Sequence, residues 1–187
     1  MPISFIRSVW HPIIVAGKSE GTDAFGGDDV HDVIHLLDLC EKLNSVDTKN
    51  INMFGVSRGG MMTYETLRED RRIHKAVVVA GVADCTMNYE EREDMRSLLT
   101  ELIGGTPEQL PEEYSRRSAV AWADEINTPL LIFHTTGDDK VSIKQADKLV
   151  KQLKKNQKDY EYVTFESNIH GDLRKTDVEK IRKWLQT

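Results

Sequence analysis

Short apolar stretches alternate along this chain with longer ones in which apolar residues return every third or fourth position. Residues 13–16, 51–54, 76–80 and 130–133 have strand length and β-branched content. Residues 160–165 alternate in polarity and predict an edge strand. Between them lie helical patterns. Val30, Val33, Ile34, Leu37 and Cys40 share one face, behind Gly26-Gly27-Asp28-Asp29, whose acids suit a helix's positive end. Ser142 and Gln145 have the spacing of a capping box before Ala146, Leu149, Val150 and Leu153; Thr176 and Glu179 repeat it before Ile181, Trp184 and Leu185. Strands alternating with helices predict an α/β fold with parallel strands joined by crossovers.

One connection breaks the rhythm. Residues 82–128 are too many for a simple crossover. They hold an acidic helical piece over 89–103, a Gly104-Gly105-Thr106-Pro107 break, a further break at Pro111 and a second helix near 114–126. We expect one domain over residues 1–187, with 82–128 as a lid-like excursion over one end of the sheet.

With net charge −6 the chain has no basic face for nucleic acid, and the lysines at 148, 151, 154, 155 and 158 follow a helical, solvated face. Cys40 and Cys85 have neither metal-site nor disulfide-framework spacing and read as buried small hydrophobes. No stretch has the length of a membrane span or a secretion signal's core, so a cytoplasmic protein without cofactor or metal is expected.

The chemistry concentrates at "NMFGVSRGGMM". Gly55-Val56-Ser57-Arg58-Gly59 is G-x-S-x-G between a predicted strand and a predicted helix. Chance would supply this pattern roughly 0.04 times in a chain of this composition. A serine at such a turn presents its hydroxyl beyond the sheet, glycines on either side leave room for backbone, and the Arg58 N–H at the helix start would help hold an oxyanion. Serine needs a base, and the base an orienting acid. In open parallel sheets both belong after later strands. After 130–133 come His134-Thr135-Thr136-Gly137-Asp138-Asp139; after 160–165 comes Ser167-Asn168-Ile169-His170-Gly171-Asp172. His170 is the preferred base over His11, His31, His35, His74 and His134, while Asp138 and Asp139 both stand as acids. The order Ser57, aspartate, His170 is that of α/β-hydrolases.

The segments "GKSEGTDAFGGDDVHDVIHLL", "VDTKNINMFGVSRGGMMTYETL", "TPLLIFHTTGDDKVSIKQADKLVKQL" and "SNIHGD" resemble the catalytic domain of the prolyl oligopeptidase family from about Gly17 onward. The resemblance implies an α/β-hydrolase-type three-layer sandwich, mainly parallel, helices on both faces, without the family's first strands. It implies a serine peptidase or related acyl hydrolase, working through an acyl-enzyme on a peptide or small-molecule substrate. By position it puts the nucleophile on Ser57, the acid on Asp138 and the base on His170. Thr135 stands where the family usually has glycine, no HGG-like element is found ahead of the match, and none of these residues is expected to form a propeller domain. The discriminating feature is then a second oxyanion N–H donor near Ser57, for which the loop 17–27 is one candidate source. Without one, the alternative is a catalytically weak or inactive hydrolase-like domain that binds a ligand or partner. The missing early strands also predict direct pairing of 13–16 with 51–54, and self-association through an exposed sheet edge.

Overall fold

The computed structural model describes residues 21–186. The strand expected at 13–16 lies outside them. Among the described residues four parallel strands form one sheet in chain order: β1 (Asn52–Val56), β2 (Lys75–Val79), β3 (Leu130–Thr135) and β4 (Tyr160–Phe165). The register runs Phe54 to Val77, Val77 to Leu131 and Leu131 to Glu161. Sequence explains the order. β2 and β3 read Lys-Ala-Val-Val-Val and Leu-Leu-Ile-Phe-His-Thr and are buried on both faces, as central parallel strands are. β1, buried only at Gly55, and β4 mix exposed and half-buried positions and form the edges of the sheet among the described residues.

Seven helices are described: α1 (Val30–Glu41), α2 (Arg58–Glu69), α3 (Cys85–Glu91), α4 (Glu93–Ile103), α5 (Pro111–Arg116), α6 (Lys144–Lys155) and α7 (Lys175–Trp184). One sheet face is covered by Leu37 of α1, Tyr64 and Leu67 of α2, and Ala146, Leu149 and Leu153 of α6. The other packs Val77, Val79, Leu131 and Phe133 against Ile181 and Trp184 of α7. Helices thus lie on both faces, as expected, but Phe54 and Val56 of β1 remain 49% and 39% exposed. No described helix is long and apolar enough to cross a membrane.

The excursion between β2 and β3 has two parts. α3, α4 and α5 form a cluster in which Cys85, Leu99, Ile103 and Tyr114 meet Phe25, Met61 and Val141. Beyond α5, Ala119, Trp122, Ala123 and Ile126 join the sheet's own core, in and just after two 3-10 turns (Ala119–Ala121 and Ala123–Glu125) that take the place of the rest of the helix expected near 114–126. Pro111 opens α5 rather than breaking a helix, since an N–H at the first helical position would have no intrahelical acceptor and its absence loses no hydrogen bond. The acidic piece breaks at Arg92 into α3 and α4.

Both capping boxes need correction. Gln145 turns inward: its Oε1 accepts the N–H groups of Ala83 (2.9 Å) and Asp84 (2.7 Å), tying α6 to the excursion's start. α7 begins at Lys175, and Asp177, not Glu179, reaches back to the Arg174 N–H (2.9 Å). Cys85 is buried, but Cys40 only half-buried.

Candidate active site

Ser57 alone separates β1 from α2. Its backbone sits at φ 57°, ψ −122°, a conformation that costs a non-glycine residue about 1–3 kcal/mol. Neighbouring backbone holds it there. The Ser57 N–H donates to the Val79 carbonyl (3.0 Å), and the Ser57 carbonyl accepts from Gly60 (2.9 Å), Met61 (3.3 Å) and Val82 (3.3 Å). Of the motif's glycines, Gly55 is obligatory: a Cβ there would lie 2.2 Å from the Gly59 carbonyl oxygen and 2.3 Å from Thr63 Oγ1. Gly59 itself has open space, whereas a Cβ at Gly60 would meet Gly81 Cα at 2.7 Å. The close packing expected of Gly59 therefore falls one residue later. The N–H groups of Arg58 and Gly59 open α2 and make no hydrogen bond to a described residue, at the helix's positive end.

Beyond β3 the chain turns so that Asp138 points inward. Its side chain is fully buried, while that of Asp139 is 69% exposed. Asp138 Oδ1 accepts the N–H groups of Lys140 (2.9 Å) and Val141 (3.0 Å). His170 Nδ1 lies 2.8 Å from Asp138 Oδ2. Burial pushes the Asp138 carboxyl up, but the Val141 N–H, the His170 imidazole and the Lys140 N–H together pull it below the usual carboxylate range. Beside it lies a cavity of about 150 Å³ lined by Asn88, Arg92, Asp138 and Lys140 among others.

The loop after β4 brings His170 back across the sheet. Thr135 Oγ1 holds the Ile169 carbonyl (3.3 Å), and Gly171, at φ 70°, lies against Val56, the residue before Ser57. A Cβ at Gly171 would come within 3.1 Å of Val56 Cγ1. The His170 side chain keeps 25% exposure, so one ring edge is bound to the acid while the ring remains accessible. Ser57 Oγ makes no hydrogen bond to a described residue; such bonds are often long before a substrate arrives. Of the other histidines, His31, His35 and His74 are exposed, His134 is buried in β3, and His11 lies outside the described residues.

A clamp beside Ser57 was missed in the sequence. Arg58 pairs with Asp23 (Nη1–Oδ2 2.8 Å) and Asp29 (3.0 Å), its guanidinium 4.7 Å from the Phe25 ring centre. Asp29 in turn takes the N–H groups of Ala24 (3.2 Å) and Gly26 (3.0 Å), Asp23 takes that of Phe25 (2.8 Å), and Glu65 takes that of Gly27 (3.2 Å). Every N–H from Ala24 to Gly27 is therefore already bound, which leaves none of these four for an oxyanion; residues 17–20 of the loop expected to supply the second donor lie outside the described residues. The available signal was Glu65, an acid among the apolar positions of "GGMMTYETL". Among the described residues no cluster could hold a metal ion.

A family model described as the prolyl oligopeptidase family matches residues 18–187. The chain is 32% identical over 171 residues to the uncharacterized peptidase YtmA of Bacillus subtilis (strain 168), covering 89% of this chain and 66% of YtmA. It is 31% identical over 141 residues to dipeptidyl aminopeptidase B of Saccharomyces cerevisiae, covering 72% of this chain but 16% of that protein. Among solved structures, a Mycobacterium tuberculosis puromycin-hydrolyzing peptidase superposes with a TM-score of 0.76 at 24% identity, over 87% of this chain and 24% of its own. Pyrococcus horikoshii acylaminoacyl peptidase gives 0.69 at 22% identity, over 76% and 24%. The chain thus spans under two thirds of these relatives' lengths, and the structural likenesses carry the fold alone.

Proposed function

The chain belongs to the prolyl oligopeptidase family, and we propose that it is a serine hydrolase of that type acting on a peptide or another acyl substrate. In this reading Ser57 Oγ attacks the acyl carbon, and His170 takes the hydroxyl proton and delivers it to the leaving group. Asp138 holds the imidazole and stabilises its charged form. The Arg58 N–H donates to the oxyanion. The leaving group departs with that proton, and water then releases the acyl group from Ser57 by the same steps in reverse. The observation that carries the reading is the contact between buried Asp138 and accessible His170, the loop of His170 packing through Gly171 against Val56, the residue before the strained Ser57. The excursion's first part, α3 to α5, is the proposed lid over the acyl pocket.

Labelling with a fluorophosphonate tests it. The wild type should react at Ser57, and Ser57→Ala should abolish labelling with folding intact. Undiminished labelling of the alanine variant would assign the reactivity elsewhere.

A second reading, a weak or inactive domain that binds a ligand or partner, draws on one observation. The N–H groups of Ala24 to Gly27 are all committed to carboxyl groups. A missing oxyanion donor costs on the order of 10² to 10³ in rate. Labelling without measurable turnover of activated esters would favour it.

A further inference from the structure

β3 is buried at every position, and a leucine or phenylalanine would suit its fifth as well as its first four. That position is His134, with a fully buried side chain whose Nδ1 has no hydrogen-bond partner. An unpaired buried polar atom costs about 1–3 kcal/mol, so the ring is retained for what its other nitrogen does. Nε2 lies 2.7 Å from the Val141 carbonyl oxygen, which can only accept, so Nε2 carries the proton and Nδ1 is bare. Val141 also donates its N–H to Asp138 Oδ1, and His134 Nε2 stands 3.8 Å from Asp138 Oδ2, the oxygen that faces His170.

We propose that His134 is a positioning residue, whose neutral Nε2–H form fixes Val141 and thereby the turn that aims Asp138 at His170. The inference rests on the reading of Asp138 and His170 as acid and base. The ring is arranged to stay neutral. Burial lowers its pKa, against the Val141 carbonyl and the charges of Asp138 and, on α6, Asp147, which raise it; a charged His170 lowers it further. A protonated His134 would instead offer Asp138 a second cation and compete with His170.

Nitrogen-15 and proton NMR of histidine-labelled protein tests this without relying on activity. In the wild type, His134 should show the Nε2–H form and should not titrate between pH 5 and 8, the range in which histidines ordinarily do. His134→Phe keeps the ring volume and removes the donor, so the low-field Nδ1–H signal of His170 should move upfield or broaden away. His134→Gln, whose amide nitrogen can replace Nε2, should restore it. Fluorophosphonate labelling should slow in His134→Phe on the order of 10- to 100-fold, by analogy with hydrogen bonds that support metal ligands. A His134 protonated on Nδ1, or titrating in that range, overturns the proposal even if His134→Phe fails to fold. So does a folded His134→Phe with the His170 signal unmoved. If the signal responds as expected while the wild type resists labelling, the positioning role stands and the hydrolase reading falls.

Discussion

Folding changes the protonation of Glu65. Burial raises its carboxyl to about 8, against the Gly27 N–H and the charges of Arg117 and Arg116, which lower it. Because the folded value lies above the unfolded one, the folded state binds a proton that the unfolded chain releases from about pH 4.5 upward. Glu65 therefore adds stability below that pH and loses it as pH rises toward 8. Glu65→Gln should flatten the melting temperature across that interval, measured by thermal scans at several pH values; an unchanged slope would place the titration elsewhere. Asp138 has the opposite sign: its contribution is complete above about pH 4, the ordinary aspartate range, and is lost as acid protonates it. The two aspartates after β3 should also separate in activity. Asp138→Asn should cost on the order of 10⁴ in turnover, the size known from the serine-protease triad, whereas Asp139→Asn, at a mostly exposed side chain, should cost little. A damaging Asp139→Asn would move the acid by one position.

The turn from β1 into α2 makes a sharper claim about its glycines than the G-x-S-x-G pattern does. Gly55→Ala and Gly60→Ala push a methyl into backbone and should each lose on the order of 1–3 kcal/mol, as overpacked sites do. Gly59→Ala enters open space within a helix and should be neutral or gain up to about 1 kcal/mol. Urea midpoints at constant slope would rank the three, and a destabilised Gly59→Ala would contradict the packing. This is also where sequence reading reached its limit. Strands β2, β3 and β4 were legible because a buried or half-buried strand writes its period directly into residue type. The caps were not: Ser142-x-x-Gln145 has the right spacing, but Gln145 gains more by closing three hydrogen bonds to Ala83 and Asp84 than by capping its own helix. Asp138 and His170 could be placed through their strands, whereas the Asp23–Arg58–Asp29 clamp joins residues whose proximity no local period encodes.

Across the molecule the two sheet faces are unequally served. α1, α2 and α6 cover one, α7 the other, and β1 has one strand neighbour among the described residues. With Phe54 and Val56 exposed on an uncharged strand, concentration-dependent self-association through this edge is expected. Phe54→Lys should reduce it in light scattering; a wild type that stays monomeric at high concentration would remove the expectation. The inequality also bears on how the protein is made. Each strand is laid beside the one before it, so the sheet can grow as the polypeptide leaves the ribosome. Its α2/α6 face is roofed along the way. Val77, Val79, Leu131 and Phe133 on the opposite face wait for Ile181 and Trp184, more than a hundred residues after β2 was synthesised. Nascent chains stalled short of α7 should therefore engage chaperones and be cut readily by protease, and release of a few dozen further residues should abolish both.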